Sequence, residues 1–129
     1  MTVTVIPARF APYLQGVLRI VLGLLLIPHG TAKFFAVPHV AMFDTFKPFS
    51  LLGAAGAIEI VGGALFLIGF LTRPVAFLLS GFMAFAYFIG HASQGFLPLV
   101  NKGELAVVYC FVFLFFAAAG PGRFAVDKE

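Results

Sequence analysis

Four apolar stretches, each close to the roughly 20 residues that a helix needs to cross a bilayer, constrain this chain more than any other feature. They cover Tyr13–Phe35, Ser50–Leu71, Pro74–Ala92 and Glu104–Gly120 and leave little sequence between them. In hydrocarbon every backbone polar group has to be satisfied within the segment, so stretches of this kind read as helices. The sequence thus predicts an all-α integral membrane protein, a four-transmembrane-helix bundle forming a single domain over residues 1–129. A soluble domain is excluded by composition: 62% of the residues are hydrophobic, 10% are charged, and mean hydropathy is +1.10. Thr72-Arg73-Pro74 separates the second and third spans, because proline suits the first turn of a new helix. Gly120-Pro121-Gly122 stops the fourth.

The connections carry the charge. Arg9, Arg73, Arg123 and Lys128 fall on the side of the termini, while Lys33, Lys47 and Lys102 fall on the other. An excess of cations marks the cytoplasmic side, so the termini are expected there. The cations are scattered singly and form no basic stripe, which gives nucleic acid nothing to bind; the expected partner is the lipid bilayer. The apolar run after Arg9 is longer than a signal-peptide core, contains Arg19 and lacks a small-residue cleavage site, so it reads as a retained first span. Cys110 is the one cysteine and has no C-x-x-C partner for thiol exchange. The link Ala36–Phe49, with two prolines and several aromatic residues, is expected at the membrane interface as a loop or short amphipathic helix.

Against this background the ionisable residues inside the spans stand out, because a charge at membrane depth costs about 2.5–3.5 kcal/mol on insertion scales and so normally has a partner. Arg19 and Glu59 lie deepest. Counted at about 1.5 Å per residue, Arg19 is roughly 21 Å below Lys33, and Glu59 roughly 13 Å below Ser50 on the antiparallel second helix. Those depths fit a structural Arg19–Glu59 ion pair. Ala55, Gly56, Gly62 and Gly63 share the helical face of Glu59, and Gly16 and Gly23 share that of Arg19, so close helix approach is expected around both charges.

A second set converges from three helices on the opposite, outer end. His29 and Lys33 are four apart, Tyr87 and His91 repeat that spacing, and Asn101 and Glu104 flank the start of the last span. As a rim pocket, these groups admit three chemistries. His29 and His91 can serve as axial haem ligands, or hold a metal together with Glu104, although no His-x-x-His pattern fixes such a site. Histidine, lysine and tyrosine can hydrogen-bond the carbonyls of a quinone at the bilayer edge and exchange its protons. Alternatively, the rim is the vestibule of a small transporter or channel, with Glu59 as a midplane binding or proton site. A non-catalytic scaffold, in which the polar groups only hold helices together, is the reading without chemistry.

HGTAKFF (29–35), EIVGGALFLIGFLTRPVA (59–76), His91 followed by GF (95–96) and NKGE (101–104), and GPGRFAVD (120–127), in this order, resemble the DoxX family. The resemblance covers nearly the whole chain, from Arg19 to Asp127. It implies a small four-helix protein of the prokaryotic cytoplasmic membrane. Relatives include proteins linked to the small membrane subunit of thiosulfate:quinone oxidoreductase and to redox complexes, thiol stress or oxidant detoxification. Carried over residue by residue, it implicates His29, Lys33, Glu59, His91 and Glu104, with Arg19 as a structural partner. The expectation is a redox-associated membrane subunit that binds a quinone or similar molecule at the outer rim, working with a redox partner protein or as a homo-oligomer. The sequence specifies no reaction.

Overall fold

The structure, a computed structural model, describes residues 1–128, and all regular structure among them is helical. The helices are α1 (Ala11–Phe35), α2 (Leu51–Ile68), α3 (Thr72–Gly90), the single turn α4 (Pro98–Asn101) and α5 (Glu104–Ala119). Short 3₁₀ turns lie at Ala8–Phe10, Ala41–Phe43 and Ala92–Gln94. α1, α2 and α3 are long and apolar enough to cross a membrane. α5 is equally apolar but has 16 residues, about 24 Å of helix against a hydrocarbon core of about 30 Å.

Local chemistry sets the helix ends. Pro12 occupies the first turn of α1, where its missing N–H is not needed. The Ser50 hydroxyl caps α2 by accepting a hydrogen bond from the Gly53 N–H at 3.2 Å. α2 stops at Ile68, three residues before the expected end, because Gly69 turns into the left-handed region at φ 72°. α3 then starts at Thr72, which places Pro74 within its first turn.

The chain forms two compact units. The first comprises residues 1–71 and 121–129, of which residues 1–128 are described; the second is Thr72–Gly120. In the first unit α1 and α2 run antiparallel, brought together by glycines on both helices. A side chain at Gly30 would meet the Gly56 carbonyl and the Ile60 side chain, each at 2.5 Å. One at Gly63 would meet Ile27 at 2.9 Å. The segment after residue 120 returns to the open end of this pair. Arg123 N–H donates to the Pro12 carbonyl at 2.9 Å, Val126 N–H to Ile68 at 3.0 Å, and Asp127 N–H to Gly69 at 2.8 Å.

In the second unit α3 and α5 pack antiparallel. Val75, Ala76, Leu79 and Met83 form the buried stripe of α3, and Tyr109, Phe113 and Phe116 that of α5. Both stripes have the three-and-four spacing of one helical face. The Ser80 hydroxyl donates to the Cys110 carbonyl at 2.7 Å across this pair. Elsewhere the helices expose large apolar side chains, among them Val17, Leu24, Leu78, Phe88, Phe111 and Phe115, as suits surfaces solvated by lipid.

Candidate functional site

Five of the polar residues singled out in the sequence fall into two clusters, Lys33 with Glu59 in the first unit and Tyr87, His91 and Asn101 in the second. In the first, Lys33 and Glu59 form an ion pair, with Nζ 2.6 Å from Oε1 and side chains only 7% and 8% exposed. Lys33 Nζ also donates to the His29 carbonyl at 3.0 Å and lies 4.9 Å from the centre of the Phe43 ring. Two oxygens and an aromatic face thus match the three donors of the ammonium. Gly56 makes room for the arrangement: a side chain there would meet the Phe34 ring at 2.8 Å and the Lys33 stem at 3.2 Å. The Ala36–Phe49 link contributes Phe43, and its Phe46 ring packs edge-on against Phe34 at 5.0 Å. His39, in the same link, pairs with Asp44 at 2.7 Å on the exposed side. The His29 ring itself is exposed; only its carbonyl joins the cluster.

The expected Arg19–Glu59 pair does not form. The glycine contacts set the two helices so that Glu59 lies level with the turn around His29. From that level Lys33 is four residues away, about 6 Å, and Arg19 ten residues, about 15 Å. Direction widens the difference, because helical side chains lean toward the N-terminus of their own helix. In an antiparallel pair Lys33 and Glu59 lean toward each other, while Arg19 and Glu59 lean apart.

Arg19 is fully buried and donates instead to main-chain carbonyls. Nε reaches Leu67 at 3.3 Å, Nη1 reaches Pro121 at 2.5 Å and Arg123 at 3.0 Å, and Nη2 reaches Phe124 at 2.6 Å. Asp127 is close enough to act on the guanidinium charge. Three of these acceptors lie in the segment after residue 120. Arginine has five donors in a planar fork, the group suited to holding an irregular segment through its carbonyls.

In the second unit Asn101 is fully buried at the centre of a frame. Its Nδ2 donates to the Tyr87 hydroxyl at 3.0 Å and to the Gly95 carbonyl at 2.8 Å, and its Oδ1 accepts from the Gly103 N–H at 2.8 Å. Tyr87 passes its own proton to the Phe96 carbonyl at 3.0 Å. His91 Nδ1 lies 3.0 Å from the Asn101 carbonyl oxygen, and the His91 ring stacks near Tyr87 with an interplanar angle of 27°. Nε2 of His91 meets no hydrogen-bonding partner among the described residues, and the side chain is only half-buried. Glu104 is exposed as the first residue of α5, a favourable place for a carboxylate beside the helix N-terminus.

The structure therefore brings Lys33 together with Glu59, and Tyr87 together with His91 and Asn101. His29 and His91, the two candidates for haem or metal, belong to separate units. Among the described residues no three His, Cys, Asp or Glu side chains gather as a metal-ligating group. Sequence reasoning missed Phe43 over Lys33 and the carbonyl cage around Arg19. An aromatic residue in a proline-rich link and the GPGR turn were their available signals, and neither names a partner.

The DoxX family model matches residues 14–92, more than half of the chain. A protein of Haemophilus influenzae, described as uncharacterized, is 42% identical over 130 residues, a match covering 94% of this chain and 93% of that one. No solved structure matches. With membrane-length apolar helices in the structure and the family's sequence pattern along most of its length, this chain belongs to the DoxX family of integral membrane proteins.

Proposed function

We propose that this protein is a redox-associated subunit of the prokaryotic cytoplasmic membrane that binds the headgroup of a quinone or a closely similar molecule. It forms a single transmembrane domain with cytoplasmic termini. The observation that carries the reading is His91, a half-buried histidine with an unpartnered Nε2 on a frame whose other polar groups satisfy one another. An apolar ring with polar oxygens at its edge suits such a place, where one hydrogen-bonding nitrogen is left open beside the Tyr87 ring in a chain of exposed apolar helices. Glu104, exposed in the same unit, contributes negative charge at the start of α5.

The test is to purify the protein from native membranes, extract it with solvent and identify what co-purifies. A quinone present with the native protein and lost from His91→Ala supports the reading. A preparation with no bound quinone, and no binding of added quinone, rejects it.

A second observation favours a structural role for Lys33 and Glu59. Every donor of the lysine is already matched, so the pair holds α1 against α2 rather than meeting the ligand. Quinone retained by a folded Glu59→Gln protein would support that division of labour, and a selective loss would return Glu59 to the ligand or to proton exchange.

A further inference from the structure

We infer that His91 discriminates the oxidation state of its ligand, taking the hydroxyl-bearing, reduced ring in preference to the corresponding dione. This inference rests on the reading that His91 meets a quinone-type headgroup. It begins from one hydrogen bond. The Asn101 carbonyl oxygen can only accept, so the His91 Nδ1 facing it at 3.0 Å must carry the proton. A neutral imidazole has one N–H; with the proton on Nδ1, Nε2 presents a bare lone pair.

That assignment is held in place by more than the single contact. Asn101 is fixed on both sides of its amide, through Tyr87, Gly95 and Gly103. The turn after it is closed by the Gly103 N–H donating to the Pro98 carbonyl at 3.2 Å, with Lys102 in the left-handed region at φ 61°. The carbonyl that sets the His91 tautomer is therefore part of a closed frame. Tyr87 and Asn101 act here as positioning residues, through His91.

The chemical consequence is directional. A hydroquinone hydroxyl can donate to the bare Nε2. The oxygen of a dione can only accept, and lone pair facing lone pair leaves both groups without a hydrogen bond. To hold the dione by this nitrogen, the ring would first have to take a second proton. With neutral His91, the reduced form should bind about ten-fold more tightly or better, the ratio expected for one such bond made or missing.

The test uses the full-length protein in lipid nanodiscs with histidine labelled by nitrogen-15, the His91 signal being identified by its loss in His91→Ala. Nitrogen chemical shifts read the tautomer, and titrations with decylubiquinol and decylubiquinone read the preference. The expected result is an Nδ1–H tautomer and tighter binding of the quinol. Asn101→Ala should give mixed tautomers and a reduced preference; Tyr87→Phe, which removes one hydroxyl and keeps the ring, serves should Asn101→Ala fail to fold. An Nε2–H tautomer, or equal or tighter binding of the dione by neutral His91, overturns the inference and leaves the quinone reading standing. Binding of neither form overturns both.

Discussion

Lys33 Nζ sits 2.6 Å from Glu59 Oε1, and both charges are almost entirely withdrawn from the surface. The pair joins the C-terminal end of α1 to the middle of α2, and its geometry follows from two features of the backbone. Glycines bring the helices close, and opposed side-chain leans bring the charged groups to one level. The nearby His29 carbonyl and Phe43 ring complete the ammonium's surroundings.

Breaking that pair from one side should be far more damaging than removing it whole. Lys33→Met or Glu59→Leu leaves the other charge buried without its counter-ion, a loss of about 3–5 kcal/mol. The double substitution leaves no uncompensated charge and should recover most of that loss. Unfolding of the four proteins in detergent completes the cycle; additive losses would mean that the two residues do not act as a pair.

The fate of Glu59 shows what the sequence made legible. Four apolar stretches located the four longer helices and their class, though not the single turn α4, and small residues around Glu59 announced a close approach. The identity of its partner was hidden, because depth counted from loop ends treats Lys33 and Ser50 as level. The glycine contacts instead put Glu59 beside His29, one helical turn from Lys33. Tyr87 and His91 were visible by their four-residue spacing. The connection between Asn101 and His91 was not, since it runs through a backbone carbonyl that has no residue signature.

Glycine positions should differ sharply in what they tolerate. At Gly30 an added methyl would sit 2.5 Å from the Gly56 carbonyl, and the backbone must move to admit it. Gly30→Ala should therefore destabilise the protein by about 1–3 kcal/mol and loosen the Lys33–Glu59 contact. At Gly81, in α3, the same methyl meets nothing within 4 Å. Gly81→Ala should be neutral or gain up to about 1 kcal/mol from helix propensity. Parallel thermal unfolding of the two variants checks the contrast; equal behaviour would show that the α1–α2 approach is not tight.

Arg19 should not be replaceable by lysine. Its fork reaches four carbonyls, three of them at residues 121, 123 and 124, and an ammonium has neither the donors nor the planar spread to do so. Each hydrogen bond lost from a charged group is worth about 1.5–3 kcal/mol. Arg19→Lys should release the C-terminal segment first, seen as faster hydrogen exchange at the Arg123, Val126 and Asp127 amides, which now bond to α1 and the end of α2. Unchanged protection at these amides would show that the segment is held by other means.

Asn101→Asp exchanges the amide NH2 for an oxygen at almost no change in volume, so it isolates the hydrogen-bonding frame from packing. A carboxylate can still accept from Gly103 N–H but cannot donate to the Gly95 carbonyl, which at 2.8 Å would then face another acceptor. Tyr87 would have to turn its hydroxyl away from Phe96 to meet the new charge. In either case the half-buried Gly95 carbonyl loses its donor, at about 1–3 kcal/mol, and more where the buried carboxylate itself stays unpaired. The expected result is rapid exchange at the Gly95 and Gly103 amides, both bonded within this connection, while the α1–α2 pair keeps its protection. Uniform loss of protection through both units would mean that Asn101 supports the whole molecule rather than the frame beneath His91.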